Sequence, residues 1–301
     1  MDTVRTLLVD AFTDQPLAGN AAGVVPEADG LTEAQMQAVA RELSVSETAF
    51  LLDSDAADRK VRYFTPTQEV DLCGHATIGS HVGLFEDDVV GAGTHSLETN
   101  VGVLEVEVTD DGVVWMTQDR PSVRAVDLEY AEVAEVLGVD ETALTGLSAD
   151  LPLAVSSTGL PFLVVPAEYL SDLSDADPDM GAVEALSDSV DATGIYLFTF
   201  DALDGDSTLH GRMFAPGAGV PEDPVTGTAS GAVGAYLREF EAFGEDELPE
   251  EMRFEQGHFV DRPGLVRVRI GEEVRVGGRG VVALDGELTV PSADDDEILE
   301  A

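Results

Sequence analysis

A short pattern recurs in this chain and limits how it can fold. Arg62-Tyr63-Phe64-Thr65-Pro66 and Arg212-Met213-Phe214-Ala215-Pro216 share R-x-F-x-P at a spacing of 150 residues. Carried forward without a gap, the alignment pairs Val70 with Val220 and Cys73 with Asp223, and both copies then enter a helix rich in Gly, Ala, Thr and Ser. The repeated unit is thus strand, turn, loop and helix N-terminus, and a repeat at this period reads as a duplicated structural unit. Duplication predicts two helix N-termini facing each other across a cleft. Each offers unpaired backbone N–H groups and a partial positive charge, a seat for carboxylates.

The remaining pattern is mixed. Val4 to Phe12 reads as a buried strand. Thr32 to Leu43 reads as a helix, with Thr32 and Gln35 at capping-box spacing and Met36, Val39, Ala40 and Leu43 on one face. Strands are expected at Ala49 to Leu52 and Val61 to Phe64, and a helix of small residues from Gly74 to Phe85. Val103 to Val108 and Val113 to Thr117 flank Asp110-Asp111-Gly112, a hairpin signal. In the second half, helices are expected near Glu129 to Leu137 and Thr226 to Phe240, with strands near Phe162 to Val165, Ile195 to Phe200 and Leu265 to Ile270. The stretch from Gln118 to Val126, with Pro121, is the expected boundary. This gives an N-terminal half over 1–120, a C-terminal half over 121–290 and an acidic, frayed tail over 291–301. The last strand, near 278–290, is placed to pack back on the first half.

Charge separates the chain from several function classes. Sixty acidic residues stand against 15 basic ones, a formal net charge of -45, and Lys60 is the only lysine. A field of that sign repels nucleic acid and anionic lipid, so neither is an expected partner. With 44% hydrophobic residues the chain can still bury a core. A single cysteine, Cys73, excludes an internal disulfide framework. There is no bilayer-length apolar run, and Met1-Asp2-Thr3-Val4-Arg5 lacks a signal-peptide layout, so the expected compartment is the cytoplasm.

Three places carry chemistry. Glu47, in Ser44-Val45-Ser46-Glu47-Thr48-Ala49-Phe50, sits between a helix end and an apolar strand, where a partly desolvated carboxylate suits proton shuttling. Among so many acids, a solvated loop glutamate is the plainer reading. Cys73 and His75, in Asp71-Leu72-Cys73-Gly74-His75-Ala76-Thr77, lie where a helix begins. The thiol could act as base or nucleophile, or pack as a small buried group; the histidine could be an acid/base or cap the loop. The stretch from Gly217 to Gly231 is a rigid Pro/Gly loop that ends at a helix start and aims Asp223 and the N–H groups of Thr226 to Thr228 at one point. It fits neither a dinucleotide fingerprint nor a phosphate loop, and no H-E-x-x-H is present, so no metal or nucleotide site is expected.

Four blocks, in order, resemble the phenazine-biosynthesis isomerase family. They are Asp10-Ala11-Phe12 through Gly19-Asn20 to Val24-Val25; Ser46-Glu47-Thr48; Cys73-Gly74-His75-Ala76-Thr77; and Pro221-Glu222-Asp223-Pro224-Val225-Thr226-Gly227-Thr228. The resemblance runs from about Val4 to the Gly277-Gly278-Arg279 region. It implies an α+β fold of the diaminopimelate epimerase type: two pseudo-symmetric halves, each a barrel-like sheet wrapped on a central helix. It implies that Glu47 takes a proton from one substrate carbon and returns it to another, assisted by His75 and Asp223. Gly74, Gly227 and Thr228 would hold the carboxylate end of a small substrate, with Ser46 a further contact. It also implies no cofactor or metal, and a homodimer. Amino-acid epimerases of this fold use one cysteine from each half. Here Cys73 is expected in one such place and Asp223 in the other, which removes a two-thiol mechanism.

Three functions follow as alternatives: a Glu47 isomerase, an epimerase or dehydratase driven by Cys73, and a ligand-binding scaffold without turnover. The acidic residues are spread along the whole chain, which points to a source rich in salt, where concentrated ions screen self-repulsion. The melting temperature is therefore expected to rise from dilute buffer to molar KCl; a flat response in a thermal scan would contradict the halophile reading.

Overall fold

The computed structural model describes residues 2–147, 151–244 and 248–292. The acidic tail expected beyond Pro291 lies, past residue 292, outside the described residues. The chain forms two compact units, one being Thr117–Gly277 and the other the residues up to Met116 together with those from Gly278 onward.

In the first unit the strands are β1 (Asp2–Ala11), β2 (Asn20–Val25), β3 (Thr48–Leu52), β4 (Arg59–Phe64), β5 (Glu69–Val70), β6 (Gly93–Thr99), β7 (Gly102–Val108) and β8 (Val114–Thr117). Helix α1 (Glu33–Leu43) lies between β2 and β3, and α2 (Gly74–Glu86) between β5 and β6. The second unit contains β9 (Ser122–Ala125), α3 (Tyr130–Leu137), α4 (Glu141–Thr145), β10 (Ala154–Ser157), β11 (Pro161–Pro166), α5 (Leu170–Asp175) and α6 (Met180–Ser189). It continues with β12 (Gly194–Thr199), β13 (Leu209–Ala215), β14 (Val220–Asp223), α7 (Gly227–Glu239), β15 (Met252–Gln256), β16 (Gly264–Ile270) and β17 (Val274–Gly278). The final strand, β18 (Gly280–Val290), pairs along the length of β1 and so belongs to the first unit.

The two units share one topology. In the first, neighbours run β18-β1-β2-β3-β4-β6-β7-β8, antiparallel except for β2–β3 and β4–β6. In the second they run β9-β10-β11-β12-β13-β15-β16-β17, antiparallel except for β11–β12 and β13–β15. The parallel pairs fall at the same two places. Strands β4 and β13 are the R-x-F-x-P segments, and each arginine stacks on the phenylalanine two residues on, Arg62 at 5.1 Å from the Phe64 ring and Arg212 at 4.9 Å from Phe214. Each also grips a carboxylate with two N–H groups: Arg62 takes Glu69 at 2.7 and 2.6 Å, and Arg212 takes Glu222 at 2.9 and 2.8 Å. Arg212 further donates to the carbonyls of Leu173 and Ala176. The repeated motif is thus a structural clamp on the return strands β5 and β14.

Local signals explain much of the rest. Thr32 caps α1 by accepting from the Gln35 amide at 3.2 Å, while Gln35 Oε1 accepts from the Thr32 amide at 2.9 Å. The helix stops at Ser44, whose φ of 55° is left-handed. The expected hairpin forms between β7 and β8, with Gly112 at φ 77° in its turn. The boundary stretch, by contrast, contains a strand, β9, which pairs with β10.

Each unit encloses a helix. Helix α2 is buried from Ala76 through Leu84, and α7 from Ala229 through Leu237. Only small residues allow a sheet to approach so closely. A Cβ at Gly83 would lie 3.0 Å from Leu7, and one at Gly234 would lie 2.7 Å from Val268. No helix among the described residues is long and apolar enough to cross a membrane.

Two histidines are sealed into these cores. His81, on α2, is 2% exposed; desolvation pushes its pKa down to about 4, although its ring nitrogen meets the Thr77 carbonyl at 2.9 Å. Desolvation likewise pushes buried His210 down to about 3, with the His258 ring 3.0 Å from its Nε2. Both are neutral in the fold, so the unfolded chain takes up protons first as pH falls. Stability should be full above about pH 6.5 and fall, on the order of 1 kcal/mol per pH unit per histidine, down toward pH 4. Urea midpoints across pH 7.5 to 4 at constant molar KCl check this, and His81→Gln should flatten the slope.

Candidate active site

Helix α2 begins at Gly74, with Cys73 as its N-cap and no side-chain cap on its first turn. Thr77 ties this turn down by donating to the Cys73 carbonyl at 2.7 Å while sharing a 2.6 Å hydrogen bond with the buried Tyr63 hydroxyl. Glu47 stands immediately before β3, and its backbone carbonyl accepts from the Gly23 amide at 3.0 Å. Gly23 is required there, because a Cβ would lie 2.5 Å from Thr48 Oγ1. The backbone under Glu47 is therefore fixed and its side chain is only partly buried, at 23% exposure.

These elements bring five of the expected residues together. His75 Nε2 lies 3.4 Å from Glu47 Oε2 and 3.2 Å from Ser46 Oγ, and its Nδ1 lies 3.4 Å from Cys73 Sγ. Gly74 sits between Cys73 and His75 at the helix start. A neutral imidazole carries one N–H. The hydrogen bond of Nε2 is to the Ser46 hydroxyl, with Glu47 Oε2 beside it as an ion-pair contact, while Nδ1 hydrogen-bonds the Cys73 sulfur.

Glu47, Cys73 and His75 each offer one ligand atom, and these lie within 4.8 Å of one another, the residues best able to hold a metal ion among those described. The fit is poor as the side chains stand. Cys73 faces one ring nitrogen and Glu47 the other, and a single ion can take only one of them.

In the second unit, α7 begins at Gly227 with Thr226 as N-cap, again without a side-chain cap. The Thr226 hydroxyl donates to Asp223 Oδ2 at 2.5 Å. Thr228, in the first turn, has its carbonyl bound by the Thr158 hydroxyl at 3.2 Å. Here the gap-free pairing of Cys73 with Asp223 needs correction. Tyr63 faces Val70 across β4–β5, whereas Met213 faces Asp223 across β13–β14, so the offset of 150 has become 153. The helices keep the new offset, and the N-cap equivalent to Cys73 is Thr226. The extra residues are taken up by the 3-10 turn Pro216–Ala218 and by Gly219 at φ 81°.

One residue of this loop was not anticipated. Gln256, 1% exposed at the end of β15, donates from Nε2 to the Asp223 carbonyl at 2.8 Å and to Thr226 Oγ1 at 3.1 Å, and its Oε1 accepts from the Thr226 amide at 3.2 Å. No local pattern marks it, because its partners lie about thirty residues earlier.

The profile of the phenazine biosynthesis-like protein family matches residues 9–286. The uncharacterized isomerase YddE of Escherichia coli K12 is 36% identical over 293 residues, covering 94% of this chain and 97% of that protein. A trans-2,3-dihydro-3-hydroxyanthranilate isomerase of Pseudomonas chlororaphis is 30% identical over 289 residues, covering 91% of this chain and 95% of its own length. A crystal structure of a Bacillus anthracis phenazine biosynthesis protein of the same family superposes with a TM-score of 0.87 at 32% identity, covering 96% of this chain and all of the other. The chain belongs to the phenazine biosynthesis-like family. Its activity class is isomerase, and its two matched α/β units have the diaminopimelate epimerase-like fold.

Gln256→Leu would leave the Thr226 amide and the Asp223 carbonyl without their buried partner. It should destabilise the protein by about 1–3 kcal/mol, read from urea unfolding.

Proposed function

We propose that the protein is a cofactor-independent isomerase that relocates a proton on a small carboxylate-bearing substrate, with Glu47 as general acid and base. The observation that carries this reading is the 3.4 Å approach of His75 Nε2 to Glu47 Oε2 at an uncapped helix start. In the reaction, Glu47 removes a proton from one carbon, and the released electron pair shifts into the adjacent unsaturation. Glu47 then delivers the proton to a second carbon, so no atom is gained or lost. His75 polarises the carboxyl and Asp223 assists. Ser46, Gly74, Gly227 and Thr228 are assigned to substrate binding, their amides and hydroxyls suiting a carboxylate. No metal enters the scheme. We further propose a cytoplasmic homodimer with neither nucleic acid nor membrane as partner.

A related isomerase acts, by its name, on trans-2,3-dihydro-3-hydroxyanthranilate, which makes that acid the first substrate to assay. A second reading is favoured by the 3.4 Å Cys73–His75 contact: the thiol is the group that carries the proton.

Glu47→Gln keeps the side chain's shape and removes its capacity to carry a proton. Turnover should fall at least about 10²- to 10⁴-fold, the usual worth of one general acid–base group, with ligand affinity little changed. Cys73→Ala should remain active. Near-normal turnover in Glu47→Gln would end the assignment, and a dead Cys73→Ala beside it would favour the thiol.

A further inference from the structure

The side-chain amide of Gln256 has a single possible orientation. Its Oε1 accepts from the Thr226 backbone amide at 3.2 Å, and its Nε2 donates to the Asp223 backbone carbonyl at 2.8 Å. A backbone N–H only donates and a carbonyl only accepts, so the flipped amide would oppose two donors at one end and two acceptors at the other. Nε2, fixed in this way, also donates to Thr226 Oγ1 at 3.1 Å. With a donor already facing its oxygen, the Thr226 hydroxyl sends its one proton to Asp223 Oδ2 at 2.5 Å. Donation thus runs one way, from Gln256 through Thr226 to Asp223. Gln256 is 1% exposed, so water does not compete for its bonds.

The first unit uses the same position differently. His210 pairs with Glu255 across β13–β15, and Lys60 with Glu98 across β4–β6, so with Arg212 matched to Arg62 the counterpart of Gln256 is Thr99. The Thr99 hydroxyl turns to its own hairpin, donating to the Gly102 carbonyl at 2.8 Å and accepting from the Val101 amide at 3.2 Å. The second unit instead joins this position to the start of its helix and to Asp223. Gly257 backs the same loop, since a Cβ there would lie 2.6 Å from the Pro224 carbonyl, and its φ of 86° is left-handed. The loop's backbone is therefore placed by packing as well as by Gln256, and what the amide adds is the hydroxyl it steers.

We propose that Gln256 is a positioning residue for the proton transfer: acting through the Thr226 hydroxyl, it holds Asp223 as an ionised acceptor in one orientation. The inference rests on the part assigned above to Asp223, and it makes that part an accepting one. A proton on Oδ2 would meet the hydroxyl proton, or displace it from its acceptor while Nε2 still donates to the same oxygen. A hydroxyl that accepts a bond is also a stronger donor, so Gln256 reinforces the bond to the carboxylate. A hydrogen bond donated to a carboxylate favours its charged form.

The test follows the Asp223 carboxyl by NMR in full-length protein with carbon-labelled aspartate, titrated at fixed molar KCl, with Asp223→Asn identifying its resonance. Thr226→Val removes the hydroxyl and keeps the shape. The Asp223 midpoint should then rise by about one pH unit, the size of a lost hydrogen bond to a charged group. Thr226→Ser should leave it in place. Gln256→Met keeps the side chain's length and removes its donor, and the midpoint should rise by at least about half as much. Combining Gln256→Met with Thr226→Val should shift it no further than Thr226→Val alone. Glu222, clamped by Arg212, and His258 and Arg262 in the turn after β15 are the same in every variant, so their charges cancel from the comparison. Lost stability with an unmoved midpoint in Gln256→Met, an unmoved midpoint in Thr226→Val, or additive shifts in the double variant would overturn the proposal. Gln256→Leu supplies the same reading if Gln256→Met does not fold. Turnover of Asp223→Asn is assayed separately; a near-normal value would remove Asp223 from the reaction and leave the titration standing.

Discussion

A helix buried on nearly every side must be narrow, and this requirement organises both units. Gly79 and Gly83 on α2, and Gly231 and Gly234 on α7, let strands pass at distances where a larger side chain would collide. With the helix axis fixed by that contact, the middle of each helix is sealed and only its ends, the first turn and the last residues Glu86 and Glu239, reach out of the core. There Cys73 and His75, or Thr226 and Thr228, occupy the first turn, while His81 two turns on is already sealed. Packing therefore keeps side chains in the middle of each helix out of reach and leaves the first turn available. The clamps of Arg62 on Glu69 and of Arg212 on Glu222 then hold the loops that lead into those ends.

Much of this was legible in the residues. The R-x-F-x-P repeat is visible because one clamp demands the same residue types twice, an arginine stacked on the phenylalanine two positions later. The capping box at Thr32 and Gln35 located α1 because a cap is a local contract between neighbours. What failed was counting across a loop. The second copy inserts the turn at Pro216–Ala218 before β14, so Asp223 slid into apparent register with Cys73 although Thr226 is its counterpart. Strand β9 was hidden by Pro121 and by four residues without alternation. Glu47 looked like any other acid of sixty; the family resemblance singled it out together with His75, and the fold brings their side chains to 3.4 Å. Gln256 carried no signal, since a buried glutamine is recognisable only by the distant loop it satisfies.

With 15 basic residues against 60 acidic ones, cations are scarce, and the structure uses them as cross-links. Arg5 on β1 joins Asp285 of β18 and Asp87 at the end of α2, tying the outer part of these two strands to that helix. Lys60, the single lysine, binds Glu98, and Arg269 binds Glu251. Exposed pairs of this kind contribute little each, and salt screens them further. Arg212 differs, because its side chain is 9% exposed and its guanidinium is held by a carboxylate, two carbonyls and two rings. The acidic excess thus lies outside the interactions that define the fold, and added salt can relieve repulsion without dissolving the clamps.

The arrangement around His75 bears on how one carboxylate could serve as both acid and base. A proton removed from carbon must wait on the enzyme until the second carbon is ready, and it must not escape to water. The backbone of Glu47 is pinned to Gly23, which leaves only its side chain free to move. Nε2 of His75 faces the carboxyl on one side of the ring, and the Cys73 sulfur faces Nδ1 on the other. Nε2 also meets the Ser46 hydroxyl, which can donate or accept, so either ring nitrogen can carry the N–H without donor facing donor or acceptor facing acceptor. If Glu47 carries the proton as proposed, Ser46 and Cys73 hold the imidazole in place beside it.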